Sequence, residues 1–247
     1  VQARTLIIGD VHGCIAELET LLRTARVSRD TRIVLVGDLV AKGPYSRHVV
    51  DFCRDRGVLA VRGNHDEAVV RYWKAARKGK ELPRLGRSGQ EALEQLDDKH
   101  LAWLAALPYV LRLEPDLVVV HGGLAPGVRL DRQDPEVMLT LRSVLPGGKL
   151  SDRAGEGVPW ASRWKGPERV VFGHDALRGL QRYPWATGLD TGCCYGRELT
   201  ALELTGSALT SSAGVRTLDR GASSRGERLL SVPARRAYAE VRRAASA

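Results

Sequence analysis

The amino-acid sequence predicts an α/β sandwich of mixed β-sheets flanked by helices. Three features carry that expectation: short apolar runs that are continuous rather than alternating, amphipathic segments between them, and closely spaced strands after residue 109. Strands buried on both faces read as unbroken Val, Ile and Leu, which is the signature of a sheet covered on each side.

Taken in order, residues 6–8 form the first such run, and the helical pattern of 15–26 returns the chain to a second run at 33–36. The helical segment 46–56 leads to a third run at 58–61, and two further helices are expected over 67–78 and 89–106. Runs at 117–120 and 170–172 complete the buried set. Closely spaced strands at 109–113, 184–189 and 198–204 favour hairpins over crossovers, and the stretches 79–90 and 126–168 read as irregular insertions.

A chain of 247 residues fits one domain, 1–247, with a motif-rich core over 4–205 and a basic C-terminal segment over 206–247. Apolar residues at 43% and charged residues at 27% are ordinary globular usage and argue against disorder or a fibrous fold. The net charge of +9 favours anionic ligands, yet residues 207–247 hold eight Arg against Asp219, Glu227 and Glu240. More than half of the excess therefore lies in that segment, where a solvated basic surface is the plain explanation.

No apolar stretch approaches the ~20 residues that span a bilayer, so no membrane association is expected. Cys14, Cys53 and the vicinal Cys193-Cys194 show neither paired Cys-x-x-Cys units nor a disulfide framework, so a reducing, cytoplasmic setting is expected and the pair reads as structural. Because the chain opens on Val1 rather than Met, a removed targeting segment stays open.

The loop after each buried run carries the chemistry: Gly9-Asp10-Val11-His12-Gly13, Gly37-Asp38, Gly63-Asn64-His65-Asp66, His121-Gly122-Gly123 and Gly173-His174-Asp175. One Gly-Asp is an ordinary turn. Five such loops in succession are not, because loops beyond the carboxyl ends of strands in an α/β sheet converge on one crevice. Carboxylate, imidazole and amide oxygen suit a borderline transition metal, and the donors outnumber the needs of one ion. Two divalent ions ~3.5–4 Å apart would share a carboxylate, for which Asp38 is the natural choice, and would lower the pKa of water toward ~7.

These loops resemble the metallophosphoesterase superfamily, in the branch that holds phosphoprotein phosphatases and bacterial symmetrical diadenosine tetraphosphatases. Over roughly residues 4–205 the likeness is to ApaH-like phosphatases, through Gly37-Asp38-Leu39-Val40-Ala41-Lys42-Gly43-Pro44, Arg62-Gly63-Asn64-His65-Asp66 and Leu189-Asp190-Thr191-Gly192-Cys193-Cys194-Tyr195-Gly196. The resemblance implies a metallophosphoesterase-like fold with a dinuclear site. Asp10 and His12 would bind the first metal, Asp38 would bridge, and Asn64, His121 and His174 would complete the second. Manganese is the expected ion, with cobalt, iron or zinc as alternatives. His65 would be the general acid, with metal ligation as its competing role.

Protein phosphatases of this branch carry Asp-Arg where this chain has Ala41-Lys42. The missing Asp leaves Asp66 or Asp190 to orient His65, and Lys42 brings charge without the bidentate fork of Arg. By the same resemblance Arg142 is a second phosphate-binding residue, although an exposed helical Arg would look the same. Trp160, Trp164 and Tyr195 are candidate base-stacking platforms, weighed against core packing for the two tryptophans. The implied reaction is hydrolysis of phosphoanhydride bonds in dinucleoside polyphosphates, such as diadenosine tetraphosphate to two ADP, with capped RNA as a further substrate. A phosphoprotein Ser/Thr phosphatase is the alternative, and a binding protein without turnover is the third reading.

Overall fold

The computed structural model describes residues 4–206 and 226–240. Two five-stranded mixed sheets lie face to face. In the first, β1 (Arg4–Ile8), β2 (Thr31–Leu35) and β3 (Leu59–Ala60) run parallel, β12 (Glu198–Thr205) pairs antiparallel with β1, and β13 (Glu227–Pro233) pairs antiparallel with β12, in the order β13-β12-β1-β2-β3. The second has the order β10-β11-β9-β5-β4, with β5 (Leu117–Val120), β9 (Arg169–Phe172) and β11 (Ala186–Gly188) parallel. Its edges, β4 (Val110–Glu114) and β10 (Gln181–Tyr183), are antiparallel hairpin partners of β5 and β11.

The unbroken apolar runs are explained by burial on alternate faces. In β1, Ile7 packs between the sheets with Val34, Val119 and Val171, while Leu6 and Ile8 turn to the outer face of the first sheet. That outer face is covered by α1 (Ile15–Thr24), α2 (Ser46–Asp55), α3 (Asn64–Arg77), α4 (Arg87–Gln95) and α5 (Asp98–Ala106). On the outer face of the second sheet, Val118, Val120, Val170 and Phe172 pack against Trp160, Trp164 and Met138 of the insertion.

Several boundaries depart from expectation. The helix expected over 89–106 is two helices, because Asp97 caps α5 by accepting from the amides of Lys99 and His100, and the His100 ring accepts from the Asp97 amide. Helix α3 starts at Asn64 rather than 67, so Asn64 and His65 occupy its first turn. The insertion after residue 126 holds α6 (Pro135–Thr140) and a small sheet of β6 (Ser143–Val144), β7 (Leu150–Ser151) and β8 (Val158–Pro159). Nor is the basic C-terminal segment all solvated surface, since residues 227–233 pair with β12 along nearly its whole length. Residues 207–225 and 241–247 of that segment lie outside the described residues. No described helix is long and apolar enough to cross a membrane.

Candidate metal centre

The two sheets bring five loops to one place. Asp10 and His12 follow β1, Asp38 follows β2, and Asn64 and His65 follow β3; His121 follows β5 and His174 follows β9. All five strands are parallel members of their sheets, so their carboxyl ends share one edge of the sandwich. The loops are tied across the sandwich as well as along it. His12 donates its amide to the Asp38 carbonyl at 2.8 Å, and the His174 amide, from the other sheet, reaches the Asp10 carboxylate at 3.1 Å.

Backbone strain is concentrated here. His12, Asp38, Ala41, Lys42 and His174 all have positive φ, at 48°, 49°, 68°, 64° and 70°. Side chains with a Cβ avoid that region unless the surroundings enforce it, and enforcement of this kind is typical of functional sites. Gly63 and Gly173 are required for close approach, since a Cβ at Gly63 would lie 2.1 Å from the Asp38 amide nitrogen and one at Gly173 2.0 Å from Asp10 Oδ1.

The chemistry of the donors tests whether cations fit. His12 Nδ1 is 3.1 Å from the Val40 carbonyl and His121 Nδ1 is 2.9 Å from the Val36 carbonyl, so each donates there and turns an Nε2 lone pair inward. His174 does the reverse: Nε2 faces the Thr140 carbonyl at 3.1 Å, leaving the Nδ1 lone pair inside. These inward lone pairs meet oxygens. Asn64 Oδ1 is 2.9 Å from His121 Nε2 and 3.0 Å from His174 Nδ1, and the two Asp38 oxygens face His12 Nε2 at 3.3 Å and His121 Nε2 at 3.5 Å.

Around Asn64, His121, His174 and Asp38 acceptor faces acceptor, which is repulsive without a cation between them, so this donor set fits metal ions, while the His12 Nε2 lone pair already meets the Lys42 ammonium at 2.9 Å. Asp38 presents one oxygen to each imidazole group, as a bridging carboxylate must. Ligand atoms of Asp10, Asp38 and His121 lie within 4.8 Å of one another, as do those of His12, Asp38 and His65.

Electrostatics agree. Burial holds His12, His174 and His121 below the usual imidazole range, which keeps them neutral as ligands. Asp10 is pushed well up by burial and by neighbouring Asp190 and Asp38, the mark of crowded carboxylates. At Asp38 burial pushes the same way, but His121, His65, His12 and Lys42 together outweigh it and hold the group well down.

The flanking residues divide. Lys42 Nζ is 2.9 Å from His12 Nε2 and 5.2 Å from the centre of the Tyr195 ring, at the His12 side of the cluster. Arg142 stands at the His174 side: it donates to the His174 carbonyl at 2.9 Å and to the Asp152 carbonyl at 2.8 Å, and it acts electrostatically on His65 and His121. It is part-buried at the site rather than on an exposed helix face. His65 is half-buried, its amide donates to Asp38 Oδ1 at 2.9 Å, and its ring meets His12 edge-on at 5.0 Å. Burial lowers its pKa to about 4.

Neither expected partner reaches the His65 ring. Asp66 spends both oxygens on the amides of Leu39, Val40 and Gly63, where it braces the Asp38 loop and caps α3, and burial lifts its pKa to about 7. Asp190 accepts from the Gly192 amide at 3.0 Å and presses on Asp10. The tryptophans are also not platforms for a ligand. Trp160 and Trp164 are 1% and 5% exposed, and their indoles donate to the carbonyls of Gly122 and Glu168. Tyr195 alone of the three remains part-exposed at the site.

Sequence reasoning missed the groups that orient these ligands. The carbonyls of Val36, Val40 and Thr140 leave no side-chain signal. Arg178, which pins the insertion by donating to the Arg142 carbonyl, Ser143 Oγ and Asp175 Oδ2, is an ordinary arginine in sequence.

The family model for calcineurin-like phosphoesterases matches residues 3–203. This chain belongs to that family. A symmetrical bis(5′-nucleosyl)-tetraphosphatase of Edwardsiella ictaluri is 32% identical, with 80% of this chain and 91% of the relative covered. Among solved structures, a protein described as a candidate diadenosine tetraphosphatase is 35% identical, with a TM-score of 0.75 over 95% of each chain. A protein serine/threonine phosphatase from Saccharomyces cerevisiae shares the fold alone, at 16% identity and a TM-score of 0.59 over 93% of this chain and 79% of its own.

Proposed function

We propose that this phosphoesterase cleaves dinucleoside tetraphosphates symmetrically, converting diadenosine tetraphosphate and water to two ADP. The observation that carries the reading is a cluster of inward-facing metal ligands flanked by a cation on each side, Lys42 by His12 and Arg142 by His174. The names of the relatives at 32% and 35% identity support the substrate class.

In this reading Asp10, His12 and Asp38 hold one divalent cation, and Asp38, Asn64, His121 and His174 hold another, with manganese proposed for both. Bound there, two such cations supply Lewis acidity, which lowers the pKa of water toward about 7 and neutralises charge on phosphoryl oxygens. Lys42 and Arg142 bind neighbouring phosphates of the chain. His65 gives a proton to the departing ADP oxygen. Its ring is neutral at rest, and a phosphate anion placed beside it favours the protonated form, so substrate binding charges the acid. Tyr195 offers the remaining aromatic face for a base.

Ala41 supports this reading over a phosphoprotein phosphatase. It is buried, its amide donates to Ser46 Oγ, and it places no carboxylate near His65. With Mn²⁺, the purified protein is expected to hydrolyse diadenosine tetraphosphate much faster than a phosphoserine peptide, with ADP as the chromatographic product. ATP plus AMP would refute symmetry, and a preference for the peptide would refute the substrate class. Faster turnover of capped RNA would keep the chemistry and move the substrate.

A further inference from the structure

A second group of metal-type donors sits beneath the dinuclear cluster. Cys14, Glu17 and Cys193 are all buried, and one ligand atom from each lies within 4.8 Å of the other two. Cys14 precedes α1 and donates its thiol to the His12 carbonyl at 3.7 Å, and Glu17 is in the first turn of that helix. Cys193 comes from the turn after β11. Its neighbour Cys194 is also buried and interacts electrostatically with Lys42, Asp190 and Asp10.

Glu17 makes the group unusual. Its side chain is 1% exposed, and its Oε1 accepts from the Arg235 amide at 2.9 Å and the Tyr238 hydroxyl at 2.8 Å. Its Oε2 is buried with no hydrogen-bond partner among the described residues. A buried carboxylate oxygen without a donor is costly, and two thiols are weak donors to repair it. A cation satisfies all three groups together.

We propose that Cys14, Cys193 and Glu17 form a separate site for one thiophilic divalent cation of the zinc class. Binding forms two metal–sulfur bonds and one metal–oxygen bond, and the two thiol protons leave to solvent. Around a tetrahedral ion with sulfur at about 2.3 Å, ligand atoms stand roughly 3.8 Å apart, so the three groups need to close by only about 1 Å.

Such an ion would staple the His12 loop to the 190–196 turn. Through Glu17 it would also reach the C-terminal segment, where Tyr238 and Ala239 already donate their amides to the Cys194 carbonyl.

The test is a Co²⁺ titration of the metal-free, reduced full chain, monitored by sulfur-to-cobalt charge-transfer absorption. The dinuclear cluster has only nitrogen and oxygen ligands, so the band reports this site alone. A band with the amplitude of one thiolate-bound cobalt per chain is expected, complete by about three equivalents because the dinuclear cluster takes up to two without contributing to it. It should persist in Asp38→Asn and Cys194→Ser, vanish in Cys14→Ser and Cys193→Ser, and need more cobalt in Glu17→Gln, with circular dichroism verifying the fold of each. No band in the wild-type chain overturns the site, as does a band that survives both cysteine variants. A purified chain short of two hydrogens by mass, with peptide mapping that links Cys14 to Cys193, would assign the pair to a disulfide and overturn it equally.

Discussion

The two sheets contribute unequally to the centre. From the first come both carboxylates, the Asn64 amide, His12 and His65; from the second come only the imidazoles of His121 and His174, with Arg142 behind them. The first half is knitted loop to loop, with the Asp38 loop held by the His65 amide and by Asp66. The imidazoles of the second half are set by the carbonyls of Val36 and Thr140, and the His174 amide ties that loop to Asp10. Negative charge is thus concentrated where positive-φ residues cluster, and the neutral imidazoles and Arg142 sit on the side of the insertion. Damage to the first half should therefore remove the centre, whereas damage to the second should retune it.

The largest effect is expected at Asp38. An amide in Asp38→Asn keeps the shape of the bridge but loses the charge that draws two cations together. Turnover should fall to background, and metal analysis should show fewer than two ions per chain. A variant with full metal content and normal rate would break the asymmetry at its strongest point.

His65→Asn separates chemistry from ligation within the first half. It is expected to keep metal and lose about 10²–10⁴-fold in kcat, the usual contribution of a general acid. The loss should be greatest for poor leaving groups. Loss of metal would instead make His65 a ligand, as its place beside His12 and Asp38 also allows.

Most of this centre was legible in sequence for a physical reason. Loops that follow buried parallel strands converge, and such strands announce themselves as unbroken apolar runs, so the loops that bring Asp10, His12, Asp38, Asn64, His121 and His174 together were legible by position, whereas their roles as ligands came from the family resemblance and are proposed. The parts beyond the strands were less legible. Asp66 was expected beside the His65 ring, but side-chain direction in the first turn of α3 sends it to the Asp38 loop, and sequence adjacency does not encode that direction. Strand β13 was hidden because it has no unbroken apolar run, with Arg228, Ser231 and Pro233 exposed, and because it is separated from its partner β12 by residues 206–226.

A smaller effect is expected in the second half. Arg142→Ala removes a charge from the His174 side without touching a ligand side chain. A charge-assisted hydrogen bond contributes about 1.5–3 kcal/mol, so kcat/KM should fall roughly 10- to 150-fold with metal content unchanged. A rise in KM at constant kcat would mark uniform phosphate binding, and an equal fall in both kcat and kcat/KM would mark an interaction made only in the transition state.

The smallest functional effect should come from Trp160, and it tests whether this part of the insertion is core or binding surface. Its indole donates to the Gly122 carbonyl at 3.0 Å, and its ring packs 4.9 Å from that of Phe172. Trp160→Phe loses that hydrogen bond and some buried volume, leaving a carbonyl next to the His121 loop without its donor. The cost should be about 1–3 kcal/mol of stability. At roughly 2–4 °C per kcal/mol for a chain of this size, the melting temperature should drop by several degrees. KM for a dinucleoside tetraphosphate should not move, because a buried indole cannot meet a base. If KM rises several-fold while the melting temperature holds, Trp160 reaches the substrate after all, and the insertion must open to let it.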